Sequence, residues 1–299
     1  MVAAVPNLSE GRRASVIEAI VSALRGPGVR VVGVHADPDH NRLDATVLGA
    51  PDEVAEAVFA GAAVAVELID MEAHRGAHPR IGAVDVVPFV PIRAIQMEDV
   101  IGLARGFGER LAAELDLPVY LYERAALRED RRSLAAVRAG QFEGLRAAVA
   151  RGERLPDLGP PVIGRAGAVA VGARPPLVAF NVYLDDPDDA VARGIAAAVR
   201  TATGGLPAVR AIGFVANARG IATVSMNLLD IGQTSVRSAF DEVTRLASER
   251  GVEVIDSEIV GLVPAAALAP GDAEHVRLVG FDPDRQVIER LLDRPSDGG

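Results

Sequence analysis

Hydrophobic and polar positions follow one another in the first third of the chain with two different periods. Short runs rich in Val, Ile and Leu have the length of strands, and longer stretches carry apolar residues at the three- and four-residue spacing of amphipathic helices. The predicted order is βαββαβ, with strands at 3–6, 29–35, 43–48 and 84–90 and helices at 15–24 and 52–69. Ser15 and Glu18 have the spacing of a capping box, and Pro51 suits the first turn of the second helix.

The same order of elements recurs toward the end of the chain. Val191, Ile195 and Val199 have helical spacing there, and apolar runs flank that helix. We predict strands at 177–184, 209–216, 221–228 and 252–255 and helices at 188–201 and 235–250. Two βαββαβ patterns indicate an α/β protein, in the α+β sense, with two sandwich domains related to the ferredoxin-like fold. We place these domains at 1–176 and 177–299.

The middle of the chain adds further elements. A helix at 97–115, an extended run at 117–122 and an arginine-rich helical region at 128–151 precede a segment at 156–168 that is rich in Gly and Pro. That composition fits a linker, and it fits equally a loop that lines a ligand cleft between domains. The end of the chain, 294–299, has the composition of a frayed tail.

Composition excludes several kinds of chemistry. The chain of 299 residues is 49% hydrophobic and can bury a large core. It has no cysteine, which excludes disulfides, thiolate nucleophiles and cysteine-bound zinc, and fits a reducing compartment. It also has no lysine, so all 31 basic residues are arginines. Schiff-base enzymes, pyridoxal-phosphate enzymes and P-loop proteins each need a lysine at a fixed place, and all three classes are excluded.

The charge balance restricts the partners. A net charge of −10 argues against nucleic-acid binding, whereas a few local arginines suffice to bind the carboxylates of a small molecule. No apolar run is long enough to span a membrane, and the first residues lack a basic segment followed by an apolar stretch. We therefore expect a soluble cytoplasmic protein that acts on small molecules, with no nucleic-acid or membrane partner.

A turn at 70–85 carries the strongest chemical signal. It holds two of the five histidines, His74 and His78, on a predicted helix-to-strand connection, where catalytic groups are often found. Their spacing would suit a metal on a helix face, but Gly76 and Pro79 disfavour a helix there. A neutral imidazole can instead exchange a proton near neutral pH. From the residues alone, an ordinary surface histidine remains an equal alternative.

Two other polar segments follow predicted strands. The segment at 34–42 carries His35, Asp39 and Arg42, and its Asp-Pro sequence is also typical of a solvated turn. The segment at 5–11 carries three more polar candidates, for which helix capping is the competing explanation. They are Asn7, Ser9 and Glu10.

These segments together resemble the glutamate formimidoyltransferase family. The resemblance extends from Val5 to about Leu268 and is carried by several long motifs in the same order. In the first half they are VPNLSEG at 5–11, NR at 41–42, LIDM at 68–71, GAHPRIGAVDV at 76–86, PFVP at 88–91, PVYLY at 118–122, PDLGP at 156–160 and GAR at 172–174. In the second half they are AFNV at 179–182, VSMNL at 224–228 and SEIVGLVP at 257–264.

The resemblance implies a reaction and a set of residues. In the family, a formimidoyl group passes from N-formimidoyl-L-glutamate to N5 of tetrahydrofolate, and the histidine of the His-Pro-Arg motif, here His78, moves the proton. We infer that Arg42, Arg80 and Arg165 bind substrate carboxylates, and that either Asp39 or Asp70 orients His78. The family's folate-binding segment corresponds to Gly159, Pro160, Pro161, Val162, Ile163, Gly164, Arg165, Ala166 and Gly167.

The resemblance also sets the remaining expectations. Tetrahydrofolate is expected as a co-substrate, no metal is expected, and a homodimer is implied. The mammalian members resemble fusions to a cyclodeaminase, an activity that this chain is not expected to have. Two alternatives stay open, namely an enzyme that uses N-formyl-L-glutamate and a folate-binding protein that has lost turnover.

Overall fold

The computed structural model describes residues 1–216 and 219–293. The chain divides into two compact units, Met1–Arg174 and Pro175–Gly299. Its strands are β1 Val2–Ala4, β2 Asn7–Leu8, β3 Arg30–Asp37, β4 Arg42–Gly49, β5 Val84–Pro91, β6 Val119–Glu123, β7 Val169–Ala173, β8 Val178–Leu184, β9 Val209–Ala216, β10 Ile221–Leu228 and β11 Val254–Val260. The tail predicted at 294–299 lies outside the described residues.

The α-helices of the described residues alternate with these strands. They are α1 Ala14–Leu24, α2 Pro51–Leu68, α3 Met97–Leu115, α4 Leu134–Val137, α5 Gln141–Ala150, α6 Asp189–Val199, α7 Val236–Ser248, α8 Asp272–His275, α9 Pro283–Gln286 and α10 Ile288–Asp293. Short 3-10 turns precede α4, follow α6 and follow β11.

The first unit contains a seven-stranded sheet. The strand predicted at 3–6 is β1, which ends at Ala4, and β2 follows it as a separate strand that was not predicted. Both pair antiparallel with β4 on one side and β5 on the other. β3 pairs with β4 as a hairpin, which completes the strand order of a ferredoxin-like βαββαβ unit. β7 and β6 extend the sheet as parallel strands beyond β5. Helices α1 and α2 pack on each other, and α3 packs on β5, β6 and β7.

The second unit contains a four-stranded antiparallel sheet in the order β11-β8-β10-β9. Helix α6 packs on β9 and β10, and α7 packs on β8. The buried face of α6 is formed by Ala192, Ile195, Ala196 and Val199. Strand order and element order are those of a ferredoxin-like fold, so the predicted α/β class with two sandwich-type units is confirmed.

Several local predictions were wrong for identifiable reasons. Ser15 does not cap α1, because the helix already begins at Ala14 and its N-terminus has no side-chain cap. Pro51 does occupy the first turn of α2, as predicted. The region at 128–151 is not one helix, because Gly140, with a φ of 78°, separates α4 from α5. The segment at 156–168 is not a linker between domains, since the residues on both sides belong to the first unit.

The Gly- and Pro-rich segment is instead paired at both ends to the first sheet. Leu158 forms a bridge with Val119, and Gly167 forms one with Gly82, just before β5. Gly167 has a φ of 78°, and a Cβ atom there would lie 2.4 Å from the Cα of Gly82. We call this close backbone contact between Gly167 and Gly82 the crossing. Only glycine fits both the backbone conformation at position 167 and the crossing.

Replacing Gly167 with alanine therefore tests the crossing. We expect Gly167→Ala to lower the free energy of unfolding by about 2 kcal/mol or more, because strain in the left-handed region is added to a backbone clash. Gly152→Ala is the matched control, since Gly152 has a similar φ of 76° and a Cβ atom there would lie in open space. Urea denaturation of both variants gives the comparison. Equal losses in the two variants would show that the crossing with Gly82 does not matter.

Candidate functional site

His78 lies in the connection between α2 and β5 and is partly buried. Within residues 1–216 and 219–293, neither of its ring nitrogens has a hydrogen-bond partner, so both can form hydrogen bonds to a substrate. Burial and the guanidinium groups of Arg138 and Arg42 lower the pKa of His78 to about 4. The imidazole is consequently neutral near pH 7 and able to accept a proton.

Arg42 lies on β4, where the register brings polar residues of three strands side by side. Asn7 of β2 and His35 of β3 both pair with Asp44 of β4. Arg42 donates to the Oδ1 of Asn7 at 2.8 Å, and its Nη2 lies 3.0 Å from the Oδ2 of Asp44. Burial raises the pKa of Asp44, and the charge of Arg42 acts in the opposite direction. Arg42 is thus held at the sheet surface by two neighbours.

A buried ion pair supports the other arginine beside His78. Asp85 on β5 is only 1% exposed, accepts a 2.8 Å hydrogen bond from the backbone N–H of Ile81, and pairs with Arg138. Burial raises the pKa of Asp85, whereas the charge of Arg138 lowers it. Arg138 comes from the connection between α4 and α5, so this pair ties that connection to β5.

Arg80 has a different environment from the one expected of a substrate-binding residue. Its side chain is buried, and it donates to both carboxylate oxygens of Glu143 at 2.7 and 2.9 Å and to Gln141 at 2.9 Å. The hydrogen bond from Arg80 lowers the pKa of Glu143 to about 2. Since its guanidinium is committed to protein groups, the geometry favours Arg80 as a support of the turn rather than a ligand for substrate.

His74 is also buried, with 7% of its surface exposed. Its Nε2 lies 3.0 Å from the backbone oxygen of Asn41, and its Nδ1 lies 3.3 Å from the Nε of Arg80. His74 and His78 therefore lie in different environments. Among the described residues, both ring nitrogens of His74 are engaged, whereas those of His78 are free of protein partners.

The polar residues after the first strand hold backbone in place. The Oγ of Ser9 donates to the backbone oxygen of Gly82 at 2.8 Å, next to the Gly82–Gly167 crossing. Glu10 accepts the backbone N–H groups of Arg12 and Arg13, each at 2.9 Å. Burial acts to raise the pKa of Glu10, but these N–H groups and the Arg13 guanidinium lower it overall. Glu10 thus holds the backbone just before α1 and does not cap the helix, whose N-terminus has no side-chain cap.

The two acids proposed to orient His78 have other hydrogen-bond partners in the described part of the chain. Asp70 accepts the backbone N–H of Glu72 at 2.9 Å, and the backbone of Asp39 donates to Asp37 at 2.9 Å. Among the described residues, no hydrogen bond joins Asp39 or Asp70 to His78. The acid whose charge does act on the pKa of His78 is Asp37, which pairs with His40 at 2.7 Å.

The segment at 159–167 runs beside the His78 turn. The backbone oxygen of Arg165 accepts from the N–H of Met71, and that of Ala166 accepts from Ala83, so the segment contacts the chain on both sides of His78. The side chain of Arg165 donates to the backbone oxygen of Glu67 at 2.5 Å. Ile163 joins the core, whereas Val162 is 66% exposed. The structure thus brings the predicted folate segment and the predicted catalytic turn together.

A cavity of about 420 Å³ lies at the base of this turn, on the side of His74. Its charged lining combines Asp70 and Glu10 with three arginines. They are Arg12, Arg13 and Arg75. Across the described ranges, no three His, Asp or Glu side chains are grouped so that they could hold a metal ion. No described helix has the length and apolar character needed to cross a membrane.

Comparison with known proteins decides the family. The formiminotransferase domain, N-terminal subdomain, matches residues 1–174, and the formiminotransferase domain matches residues 179–289. The chain belongs to the formiminotransferase family. A glutamate formimidoyltransferase of Thermoplasma acidophilum is 40% identical over 99% of this chain and 98% of its own.

Other members of the formiminotransferase family are similar at close to the same level of identity. A glutamate formimidoyltransferase of Streptococcus pyogenes serotype M1 is 40% identical, over 98% of each chain. A formimidoyltransferase-cyclodeaminase of Mus musculus is 39% identical over 98% of this chain and 60% of its own length. The chain thus matches the bacterial and archaeal relatives nearly end to end.

Three charged residues that the sequence did not mark as site residues, Asp85, Arg138 and Glu143, act through long-range contacts. Arg138 and Asp85 pair across 53 positions, and Arg80 and Glu143 across 63. Asp85 is part of the motif after His78, which could have marked it as a candidate. Nothing in the arginine-rich region distinguishes Arg138 from its neighbours before the fold is known.

Proposed function

We propose that this protein transfers a formimidoyl group from N-formimidoyl-L-glutamate to N5 of tetrahydrofolate, releasing L-glutamate and 5-formimidoyltetrahydrofolate. The observation that carries the proposal is the neutral imidazole of His78, unpartnered among the described residues and subject to the charges of Arg42 and Arg138. Relatives that are named glutamate formimidoyltransferases and match nearly the whole chain support the same reaction.

The reaction requires two proton transfers that one imidazole can perform in turn. As N5 of tetrahydrofolate attacks the formimidoyl carbon, a new C–N bond forms and N5 loses its proton to His78. The bond from that carbon to the glutamate nitrogen then breaks, and His78 returns the proton to the departing nitrogen. Holding both substrates at attack distance supplies much of the remaining rate acceleration.

Arg42 and Arg138 give the imidazole a second property. Their positive charges favour the neutral ring in the free protein, as a base requires. Carboxylates of a bound donor would screen these charges and raise the pKa of His78 toward neutral pH. Substrate binding would thus increase the basicity of His78 when the proton is to be accepted.

The lowered pKa predicts the pH dependence of the reaction. Because His78 must be neutral to accept a proton, kcat/KM should be retained on the acid side until the pH approaches about 4 and be lost below it. An unperturbed histidine would give a midpoint near 6.5 instead. Initial rates measured over a pH range that covers both midpoints test this, and an acid limb centred near the unperturbed value would contradict it.

The remaining assignments are proposals of the same kind. Residues 1–176 would form the subdomain that carries His78, 177–299 the C-terminal subdomain, and 159–167 a wall of the folate site, as its pairing beside the turn suggests. We propose a cytoplasmic location, which the lack of cysteine supports, and a homodimer, which the family resemblance supports. Size-exclusion chromatography with light scattering tests the dimer.

The decisive experiment uses the purified protein with both substrates. We expect 5-formimidoyltetrahydrofolate to form when N-formimidoyl-L-glutamate and tetrahydrofolate are mixed with the protein. A parallel reaction with N-formyl-L-glutamate distinguishes the formyl donor. Folate binding without turnover of either donor would show that the chain is a binding protein and not a transferase.

A further inference from the structure

We propose that His74 is a positioning residue, a fixed and neutral hydrogen-bond bridge that joins the β3–β4 hairpin to Arg80 and thereby holds the His78 turn in place. This inference rests on the proposed function, because the catalytic importance of the turn comes from His78. The bridge itself is a property of the folded chain and can be measured without substrates.

The partners of His74 determine its tautomer. The backbone oxygen of Asn41 can only accept, so the Nε2 of His74, 3.0 Å away, must carry the hydrogen. The Nε of Arg80 can only donate, so the Nδ1 of His74, 3.3 Å away, must offer its lone pair. Both requirements are met by the neutral ring with hydrogen on Nε2, and by no other form.

The bridge joins parts of the chain that carry other site residues. Asn41 precedes Arg42, and its side chain accepts from the N–H of Gly11 at 2.9 Å and donates to the backbone oxygen of Arg75 at 3.0 Å. Arg80 follows His78 by two residues and is anchored to Glu143 of α5. A displacement of the His74 ring would therefore move the backbone on both sides of His78.

Close backbone packing leaves the turn little room to relax. A Cβ atom on Gly76 would lie 2.3 Å from the backbone oxygen of His40, and one on Gly11 would lie 2.2 Å from that of Asp37. The turn thus lies directly against the hairpin, and the side chains of His74 and Asn41 both bridge them. With both nitrogens engaged and little exposed surface, His74 is not available as a second base.

Burial and two neighbouring guanidinium groups favour the neutral ring of His74. Burial is the main cause that lowers the pKa of His74, and the charges of Arg80 and Arg12 act in the same direction. The carbonyl of Asn41 and the charge of Glu10 act against them. A proton on Nδ1 would place one N–H group against the donating Nε of Arg80, so protonation would break the bridge.

One substitution tests the role in turnover. His74→Leu removes both hydrogen bonds, and we expect kcat to fall about tenfold or more, since misplacement of a catalytic group by about 1 Å can cost up to 10²-fold. The dissociation constant of tetrahydrofolate should change less than about threefold, because the residues of 159–167 are unaltered.

Two further variants serve as rescue and control. His74→Gln retains a donor and an acceptor and should recover much of kcat. His275→Leu, which removes a histidine of the second unit paired with Asp241, is the control.

A measurement on the unmodified protein keeps the test independent of folding and of activity. Nitrogen-15 chemical shifts of the histidine rings distinguish the tautomers, and we expect His74 to stay neutral with hydrogen on Nε2 throughout a titration across neutral pH. A ring that titrates near the unperturbed value of about 6.5, or a His74→Leu variant with the kcat of the unmodified protein, would overturn the proposal. If the unmodified protein turns over neither donor, the proposed function fails, while the ring shifts still decide whether the bridge exists.

Discussion

His78→Ala is expected to lower kcat by about 100-fold or more, the range for losing a positioned acid–base group. The partly buried imidazole has no partner among the described residues, so its removal breaks no hydrogen bond of the described fold. The affinity for tetrahydrofolate should therefore stay close to that of the unmodified protein. Steady-state rates with N-formimidoyl-L-glutamate, together with equilibrium folate binding, give both quantities.

The controls separate catalysis from folding. His275→Ala removes an exposed histidine from the second unit and should leave kcat unchanged. His78→Ala should also unfold at a urea concentration close to that of the unmodified protein, because it leaves no described polar group without its hydrogen bond. A variant at position 78 that retains full turnover would show that another group moves the proton.

The overall architecture could be predicted because its signals are local. Apolar periodicity at 43–48 and 52–69 corresponds to β4 and α2, and the repeated order of elements led to the ferredoxin-like class. The short strand β7 was missed, because Val169–Ala173 follows directly on a segment dominated by Gly and Pro. Helix ends were also misplaced, as at Ser15, because capping depends on where the backbone actually turns.

The site could be predicted only as far as neighbouring residues define it. The turn with His78 and the strand-end position of Arg42 were visible in the sequence. The structure changes the interpretation of Arg80 because its partners, Glu143 and Gln141, lie on a helix more than 60 positions away. Spacing along the chain carries no information about which carboxylate will meet which arginine after folding.

Arg138→Leu is expected to have the largest effect on stability. Asp85, fully buried at the start of β5, would lose its charged partner, and breaking a buried ion pair in this way typically costs about 3–5 kcal/mol. Urea denaturation measures the loss. Arg151→Leu, in an exposed pair with Glu153, is the matched control and should cause no resolvable change.

A double substitution shows whether the loss of stability in Arg138→Leu comes from the unpaired carboxylate of Asp85. When Asp85→Asn is combined with Arg138→Leu, the new amide side chain would keep an oxygen for the N–H of Ile81 but carry no charge, so much of the lost stability should return.

The single variant Arg138→Leu also tests the pH dependence. The acid limb of its kcat/KM profile should move up from about 4, since Arg138 is the main charge that lowers the pKa of His78. Unchanged stability after Arg138→Leu would mean that Asp85 takes up a proton at little cost, and that the pair does not hold β5. An unchanged acid limb in Arg138→Leu would mean that the charge of Arg138 does not lower the pKa of His78.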